Sequence, residues 1–314
     1  MMGFALKRIA TNLVVLLLVS ILAFYLMALV PGDPAAALAG VGASAAEIEA
    51  IRDQLGLDRP LPERITSWLI RLLHGDLGDS ITLGQPVLDI IGQRLPATLS
   101  LSLMAMTWTI IFGVGGGIVA AKYSGTWIDR SIMTTAVLGV SMPNFWLGFL
   151  LIMIFGVGLL WFPTGGYVTL SDSPSQWFRH LLLPSIALSF LQIALLARMT
   201  RGALLDVLGQ DYIHMAKARG LTKSQIFFKY ALLNAAIPIV TVIGNTLSLM
   251  LSGAVIVESV FSIPGIGELM ASSILSRDYP IIQGALIVTA AMFVTINLLM
   301  DLAYAWLNPK VRYE

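Results

Sequence analysis

Residues 210–238 read QDYIHMAKARGLTKSQIFFKYALLNAAIP, a polar segment with strong helix-end signals that separates two apolar stretches. Asp211 is a good N-cap for a short helix, and Gly220 suits the left-handed conformation in which helices often end. Thr222 and Gln225 have the spacing of a capping box, which predicts that a second helix begins at once. The segment therefore predicts an isolated helix of about 8 residues, roughly 12 Å long. Such a helix would protrude between two membrane spans and could serve as a docking surface for a partner.

The composition indicates an integral membrane protein. Hydrophobic residues make up 57% of the 314 residues, charged residues only 12%, and the mean hydropathy is +0.84. A soluble domain would carry about 25% charged residues. Six stretches without an ionisable side chain are long enough to cross a hydrocarbon core of about 30 Å. They are residues 9–30, 98–121, 132–160, 181–197, 235–257 and 281–300. We expect an all-α membrane protein with six transmembrane helices.

The arrangement of positive charges predicts the orientation of these spans. All lysines fall on one side of the membrane if the N-terminus is cytoplasmic, and the two short outer loops hold only Arg179 and Arg277. Both termini and the 210–238 segment are therefore expected in the cytoplasm. Lys7 and Arg8 also resemble the start of a signal peptide, but the apolar run of about 22 residues exceeds the usual 7–15. A retained first helix is expected.

The long outer segment after the first span is predicted to be helical. Ser44 and Glu47 form a capping-box pattern, and residues 61–73 read as an amphipathic helix with Trp68 on its apolar face. These helices should lie on the bilayer or on a partner. A folded decoration with no direct role is the alternative.

Missing motifs exclude several classes of function. The chain has no cysteine, no P-loop and no H-E-x-x-H, and its three histidines are far apart. Glu258 and Asp301 stand at span ends, where an interfacial charge or a helix-end hydrogen bond is expected. We therefore expect no enzymatic activity, no metal site, no cofactor and no nucleic-acid partner. If the protein moves a solute, the energy must come from another chain.

Further motifs in chain order resemble ABC-importer permeases of the dipeptide, oligopeptide and nickel group, specifically the first permease subunit. They are VPGDP (30–34), LGLDRPLPERITSWL (55–69), HGDLGDS (74–80), RLPATL (94–99), SMPNFWLG (141–148), FPTGGY (162–167), ESVFSIPGIGEL (258–269), SRDYP (276–280) and NPKVRY (308–313). The resemblance implies the type I importer permease fold with an extracytoplasmic helical insertion after helix 1. It implies residues 1–93 as first helix plus insertion, 94–307 as permease core with a coupling loop at about 206–234, and 308–314 as a cytoplasmic tail.

In this family the corresponding loop forms the coupling helix that enters a groove on the ATPase subunit. Ala216 and Gly220 match the alanine and glycine of that motif, whereas His214 and Met215 replace its glutamate and alanine. The implied coupling residues are Asp211, Tyr212, His214, Met215, Ala216, Lys217, Ala218, Arg219, Gly220 and Leu221.

The resemblance also implies a second homologous permease, two ATPases that bind ATP and magnesium, an extracytoplasmic solute-binding protein, and membrane lipid as partners. Candidate pathway residues are Ser141, Asn144, Gln192, Asn245, Ser248 and Ser252. Candidate contacts to the binding protein are Arg64, Trp68, Glu268, Arg277 and Asp278.

Several functions remain open from the residues. Di- or oligopeptides are the favoured substrate, and glutathione, opines, nickel chelates or another small solute are alternatives. A self-contained secondary transporter would instead take up its solute without ATP. A membrane scaffold or sensor partner would have no transport role.

Overall fold

The computed structural model describes residues 2–29, 35, 42–54 and 58–307, and these residues are almost entirely helical. Before the core come α1 (Met2–Leu29), α2 (Ala45–Gln54) and α3 (Leu61–Leu73). The capping box that begins α2 is confirmed, because the Ser44 hydroxyl accepts from the Glu47 N–H while the Ser44 N–H donates to the Glu47 carboxylate at 2.8 Å.

The core helices follow in chain order, and three of them contain a π-helical segment. They are α4 (Val87–Trp108, then Thr109–Val114 and Gly115–Lys122), α5 (Trp127–Ser141), α6 (Asn144–Leu151, then Ile152–Gly158), α7 (Pro174–Leu208), α8 (Asp211–Ala218), α9 (Lys223–Gln225, then Ile226–Ala231 and Leu232–Val260), α10 (Ile266–Ser276) and α11 (Tyr279–Leu307).

Five helical segments of the described chain are long and apolar enough to cross a membrane. They are Arg8–Tyr25, Val87–Lys122, Pro174–Leu208, Lys223–Val260 and Tyr279–Leu302. A sixth span exists only if α5 and α6 are counted together. The expected all-α membrane architecture is therefore confirmed.

The third expected span, residues 132–160, is not one straight helix. The axes of α5 and α6 differ by 102°. The break lies at Met142, whose backbone is extended, immediately before Pro143. Proline lacks an N–H and disfavours a helical conformation at the preceding residue, which favours a break here. Proline does not by itself require one, since α4, α7 and α9 continue through Pro96, Pro184 and Pro238.

Helix α7 lies at the centre of the bundle and contacts α4, α5, α6 and α9, whereas α1 packs on the outside against α11. In the apolar window of α7, 61% of the residues are buried, the largest share among the spanning helices. Its inward face combines small and branched side chains, including Ala187, Leu188, Ala194 and Leu196. Small residues let helices approach closely where lipid supplies no hydrophobic drive for association. Helix α7 is therefore the packing centre of the described bundle, and it ends at Leu208, with two residues between it and α8.

Candidate coupling helix and pathway residues

The short helix expected in the 210–238 segment is present as α8, and it has 8 residues. Its N-cap is Gln210, with extended backbone angles and no side-chain cap, so the assignment of Asp211 as N-cap is wrong by one position. Asp211 is the first helical residue, where its negative charge is still favourable next to the helix N-terminus. The helix starts one residue earlier than expected because the chain is already extended at Gln210. The capping preference of Asp211 alone does not indicate this.

The end of α8 agrees with the sequence prediction. Gly220 has φ +82°. Its N–H donates to the Lys217 carbonyl at 3.0 Å, and the Leu221 N–H donates to the Ala216 carbonyl at 3.3 Å. These two bonds form a Schellman motif, which satisfies the last carbonyls of the helix. The helix therefore has a fixed C-terminal end.

The next helix begins immediately after this motif. The Thr222 hydroxyl accepts from the Gln225 N–H at 3.3 Å, and the Thr222 N–H donates to the Gln225 side chain at 3.0 Å. Both bonds of the predicted capping box are thus present. Because the Schellman motif and the capping box follow each other directly, the link between α8 and α9 is short and well defined.

One face of α8 is buried within the chain itself. Ile213 and Ala216 are 0% and 5% exposed and pack with Ile226, flanked by Leu208 and Tyr230. Ala216 therefore faces inward, and its expected place on a partner surface is corrected. Ala216 lies four positions before Gly220, and this spacing alone does not show which face of α8 it occupies. Only the packing of Ile213 shows which face points inward.

The opposite face of α8 is free for a partner. Tyr212 and Met215 are 41% and 58% exposed, while Leu221 is half-buried. The remaining predicted coupling residues are exposed: Asp211, His214, Lys217, Ala218, Arg219 and Gly220. The face thus combines an apolar centre with basic residues near the C-terminus. Such a surface can enter an apolar groove with an acidic rim.

The six pathway candidates lie in different environments. Gln192 and Ser248 are buried, and the Gln192 Oε1 and Ser248 Oγ have no hydrogen-bond partner. Asn144 is half-buried, whereas Ser141, Asn245 and Ser252 are exposed. No hydrogen bond joins any two of the six within the described part of the chain. Their role in a pathway stays a prediction.

Helix α3 packs against α1 through an aromatic contact. The Trp68 ring lies 5.6 Å from the Phe24 ring, and the Arg64 guanidinium lies 5.8 Å from the same ring. Trp68 is only 7% exposed. Its side chain is therefore occupied within the chain in this conformation, and the expectation that it contacts a partner is corrected. Arg64 remains half-exposed beside it.

Asp278 is also an internal residue. It is 0% exposed, and its Oδ2 accepts from the Ser80 hydroxyl at 2.6 Å and from the Thr82 N–H and hydroxyl at 2.9 and 2.7 Å. Burial opposes ionisation, but these bonds and one from the Ile281 N–H together lower the pKa of Asp278 below its usual value. Asp278 therefore joins the segment before α4 to the start of α11 and is not available at the surface. Exposed Arg277 next to it is still available.

Glu258 makes the helix-end hydrogen bonds considered from the sequence. It is fully buried, and its Oε2 accepts from the Gly267 and Glu268 N–H groups at 2.8 and 3.1 Å, at the start of α10. Its Oε1 accepts from the Thr98 hydroxyl at 2.6 Å, and that hydroxyl accepts from the Ile266 N–H. The buried carboxyl thus fixes the first turn of α10 against both α9 and α4.

Two ion pairs were not anticipated from the sequence. The Arg201 Nε and Nη2 donate to the two Asp129 carboxylate oxygens at 2.6 and 2.8 Å, which joins α7 to the start of α5. Asp301 pairs with Arg8 at 3.2 Å, which joins α11 to α1. The partners are distant in sequence, so the hydropathy pattern gave no signal for either pair.

Comparisons with known proteins extend over the whole chain. Residues 113–313 match the family model described as "Binding-protein-dependent transport system inner membrane component", and residues 1–102 match the corresponding N-terminal model. A "Putative peptide transport system permease protein" of Brucella abortus (strain 2308) is 45% identical over 314 residues, covering all of both chains. A "Glutathione transport system permease protein GsiC" of Escherichia coli (strain K12) is 41% identical over 314 residues, again covering all of both chains.

The similarity to solved structures concerns the fold. An inward-facing structure of the MetNI methionine ABC transporter matches with a TM-score of 0.58 at 18% identity, covering 70% of this chain and 96% of that one. The helical core thus has the fold of a type I importer permease.

Proposed function

Because this chain belongs to the family of inner-membrane components of binding-protein-dependent transport systems, we propose that it forms half of an ATP-driven import pathway for di- and oligopeptides. It is a multi-pass permease subunit of an ABC importer, and membership of the family implies a permease partner and ATPase partners. In the proposal these partners are one homologous permease and two ATPases, with a solute-binding protein that delivers substrate. Both termini and α8 would lie in the cytoplasm.

The exposed face of α8 is the single observation that supports the coupling role best. The helix is held between α7 and α9 by its C-terminal Schellman motif and the capping box that follows. Its buried face packs on Leu208 at the end of α7 and on Ile226 and Tyr230 in α9. A force on Tyr212 or Met215 would therefore pass to two spanning helices at once, through packed side chains. ATP-driven closure of the ATPases could then move the bundles as rigid bodies and open the pathway on the other side.

The peptide substrate is supported by the names of the relatives. One relative is named a peptide permease and another a glutathione permease, and glutathione is itself a small peptide. Among the buried polar atoms of the described residues that have no hydrogen-bond partner, the Gln192 Oε1 and the Ser248 Oγ belong to pathway candidates, and both are suited to hydrogen bonds with a peptide backbone when the bundle opens. Nickel chelates and opines are the alternative substrates, and an uptake assay with each compound would distinguish them from peptides.

A substitution at Gly220 tests the coupling assignment. Gly220→Pro cannot adopt φ +82° and lacks the N–H that donates to Lys217, so it should abolish ATP-driven uptake while membrane insertion stays intact. Gly220→Asn is the matched control, because asparagine tolerates the left-handed conformation and should keep most of the uptake. Normal uptake by the proline variant would show that α8 does not couple the subunits.

The composition of the complex tests the wider proposal. The tagged chain would be purified in mild detergent from its native membrane, and the recovered proteins would be identified by mass spectrometry. A second permease and two P-loop ATPases are expected. Recovery of this chain alone, still competent for uptake without ATP, would instead establish a secondary transporter.

A further inference from the structure

A pocket lies at the end of the bundle opposite α8, and no coupling residue lines it. It has a volume of about 490 Å³, and its lining includes Arg94 of α4, Ser259 of α9 and Glu268 of α10. Helix α9 starts beside α8 and, with 38 residues from Lys223 to Val260, extends roughly 57 Å towards this pocket. In the proposed orientation the pocket opens on the outer face, where substrate would arrive.

The charged pair in the pocket is incompletely bonded. The Arg94 Nη1 donates to the Glu268 Oε2 at 3.4 Å, which is long for a bond between two charged groups. Both side chains are 32% exposed. Within the described residues, the other N–H groups of Arg94 and the Glu268 Oε1 have no protein partner. The pocket thus offers a cation and an anion side by side, each with bonding capacity left.

The position of this pair is fixed by the buried Glu258. Glu258 accepts from the N–H of Glu268 itself and so holds the first turn of α10 in place. It also accepts from Thr98, which lies one helical turn after Arg94 on the same face of α4. An added Cβ at Gly265 or Gly267 would come within 3.0 Å of the Glu258 carboxylate, so this turn fits closely around it. The two charges are therefore carried by a preorganised frame.

We propose that Arg94 and Glu268 form a subsite for a zwitterion and bind the terminal carboxylate and terminal ammonium of a peptide entering the pathway. The unused N–H groups of Arg94 donate to the ligand carboxylate, and the Glu268 Oε1 accepts from the ligand ammonium. The ligand carboxylate, Arg94, Glu268 and the ligand ammonium then alternate in sign. Arg94 and Glu268 can therefore stay paired while the ligand binds. The choice of a peptide as the ligand rests on the proposed function.

The test is a double-mutant-type cycle, in which one terminus of a dipeptide is blocked chemically and one side chain of the pair is substituted. Because affinities are compared between blocked and unblocked peptides on the same variant, the result does not depend on the stability of that variant. The probes are L-alanyl-L-alanine, its N-acetyl form and its C-amide form. Their affinities for the purified permease–ATPase complex in nanodiscs, without binding protein, would be measured by saturation-transfer NMR. Each cap should weaken binding to the unchanged protein about fivefold, the upper value for an exposed ion pair.

The variants then identify which side chain recognises which terminus. In Glu268→Gln, the acetyl cap should cause no further loss of affinity, because the partner of the ligand ammonium is already removed. In Arg94→Gln, the amide cap should likewise cause no further loss of affinity. Glu63→Gln and Arg71→Gln are matched controls, because both residues are exposed on α3, away from the pocket, and should leave both caps costly. Absence of saturable dialanine binding, or equal cap costs in every variant, would refute the subsite.

A separate assay distinguishes failure of the subsite from failure of the proposed function. ATP-driven uptake of dialanine would be measured with the complete importer and its binding protein. Peptide uptake without cap-specific effects would refute the subsite and keep the proposed function. Cap-specific effects without peptide uptake would support a zwitterion subsite and refute peptide import.

Discussion

Three consecutive glycines in α4, Gly115, Gly116 and Gly117, face very different surroundings, which leads to a specific stability prediction. An added Cβ at Gly117 would lie 2.5 Å from the Thr200 Cβ and 2.6 Å from the Ala197 carbonyl oxygen, both on α7. The same atom would meet nothing within 4 Å at Gly115, and at Gly116 its nearest neighbour would be 3.7 Å away. The three Gly→Ala substitutions are chemically identical, so they compare position alone.

The magnitude follows from two opposing effects. Overpacking a tight contact costs about 1–3 kcal/mol, and the Ala197 carbonyl belongs to backbone that cannot turn aside. Alanine in a helix gains about 0.5–1 kcal/mol over glycine. Gly117→Ala should therefore lower the free energy of unfolding by about 1–2 kcal/mol, whereas Gly115→Ala should raise it slightly. For a chain of 314 residues, with an unfolding entropy of about 2.1 cal/mol/K per residue, the loss corresponds to a fall in Tm of about 1.5–3 °C.

The assay is thermal unfolding of the purified tagged chain in one detergent, with Gly115→Ala as the matched control. We expect the order Gly115→Ala, unchanged protein, Gly117→Ala from most to least stable. If Gly117→Ala is as stable as Gly115→Ala, α4 and α7 do not approach as closely at Gly117 as the structure shows.

Two further predictions concern buried charges. Asp129→Asn should lower the free energy of unfolding by about 2–3 kcal/mol. This is less than the full cost of breaking a buried pair, because the Arg201 side chain is 28% exposed. Asp301→Asn is the control on a more exposed pair, and an unchanged Tm for Asp129→Asn would show that the Asp129–Arg201 pair does not stabilise the fold. Asp278→Asn should cost about 2 kcal/mol at pH 7. Because the folded pKa of Asp278 is lowered, its contribution is present above the unfolded pKa of about 3.9 and is lost as the pH falls through the folded value. The difference in Tm between the unchanged protein and Asp278→Asn should therefore shrink below pH 4, and a constant difference would contradict the assigned charge.

Local patterns predicted local structure well. The capping boxes at Ser44 and Thr222 and the left-handed Gly220 depend on residues within a few positions of each other, and all three are present. The break at Met142 was missed, although Pro143 was a visible signal, because the apolar run around it is long enough for a span. The hydropathy of residues 132–160 describes their environment but does not show whether the helix is straight.

Residues that act at a distance could not be assigned from the sequence. Asp278 was expected to contact the binding protein at the surface, but its side chain is buried against Ser80 and Thr82. Arg201 pairs with Asp129, which lies 72 positions away in the chain. Ala216 looked like a partner contact, but Ile213 and Ile226 place it inside. In each case the residue type was compatible with both surface and interior.

The sequence by itself determined the membrane class, the family and the position of the short helix α8, because hydropathy, capping and family motifs depend on contiguous residues. Only the tertiary structure decided which face of α8 is free, where the third span bends, and that Arg94 and Glu268 share one pocket. These last features join residues far apart in the chain, 174 positions in the case of Arg94 and Glu268. Such pairs form only when the packing of α4 against α10 brings them together, and no local pattern records that packing.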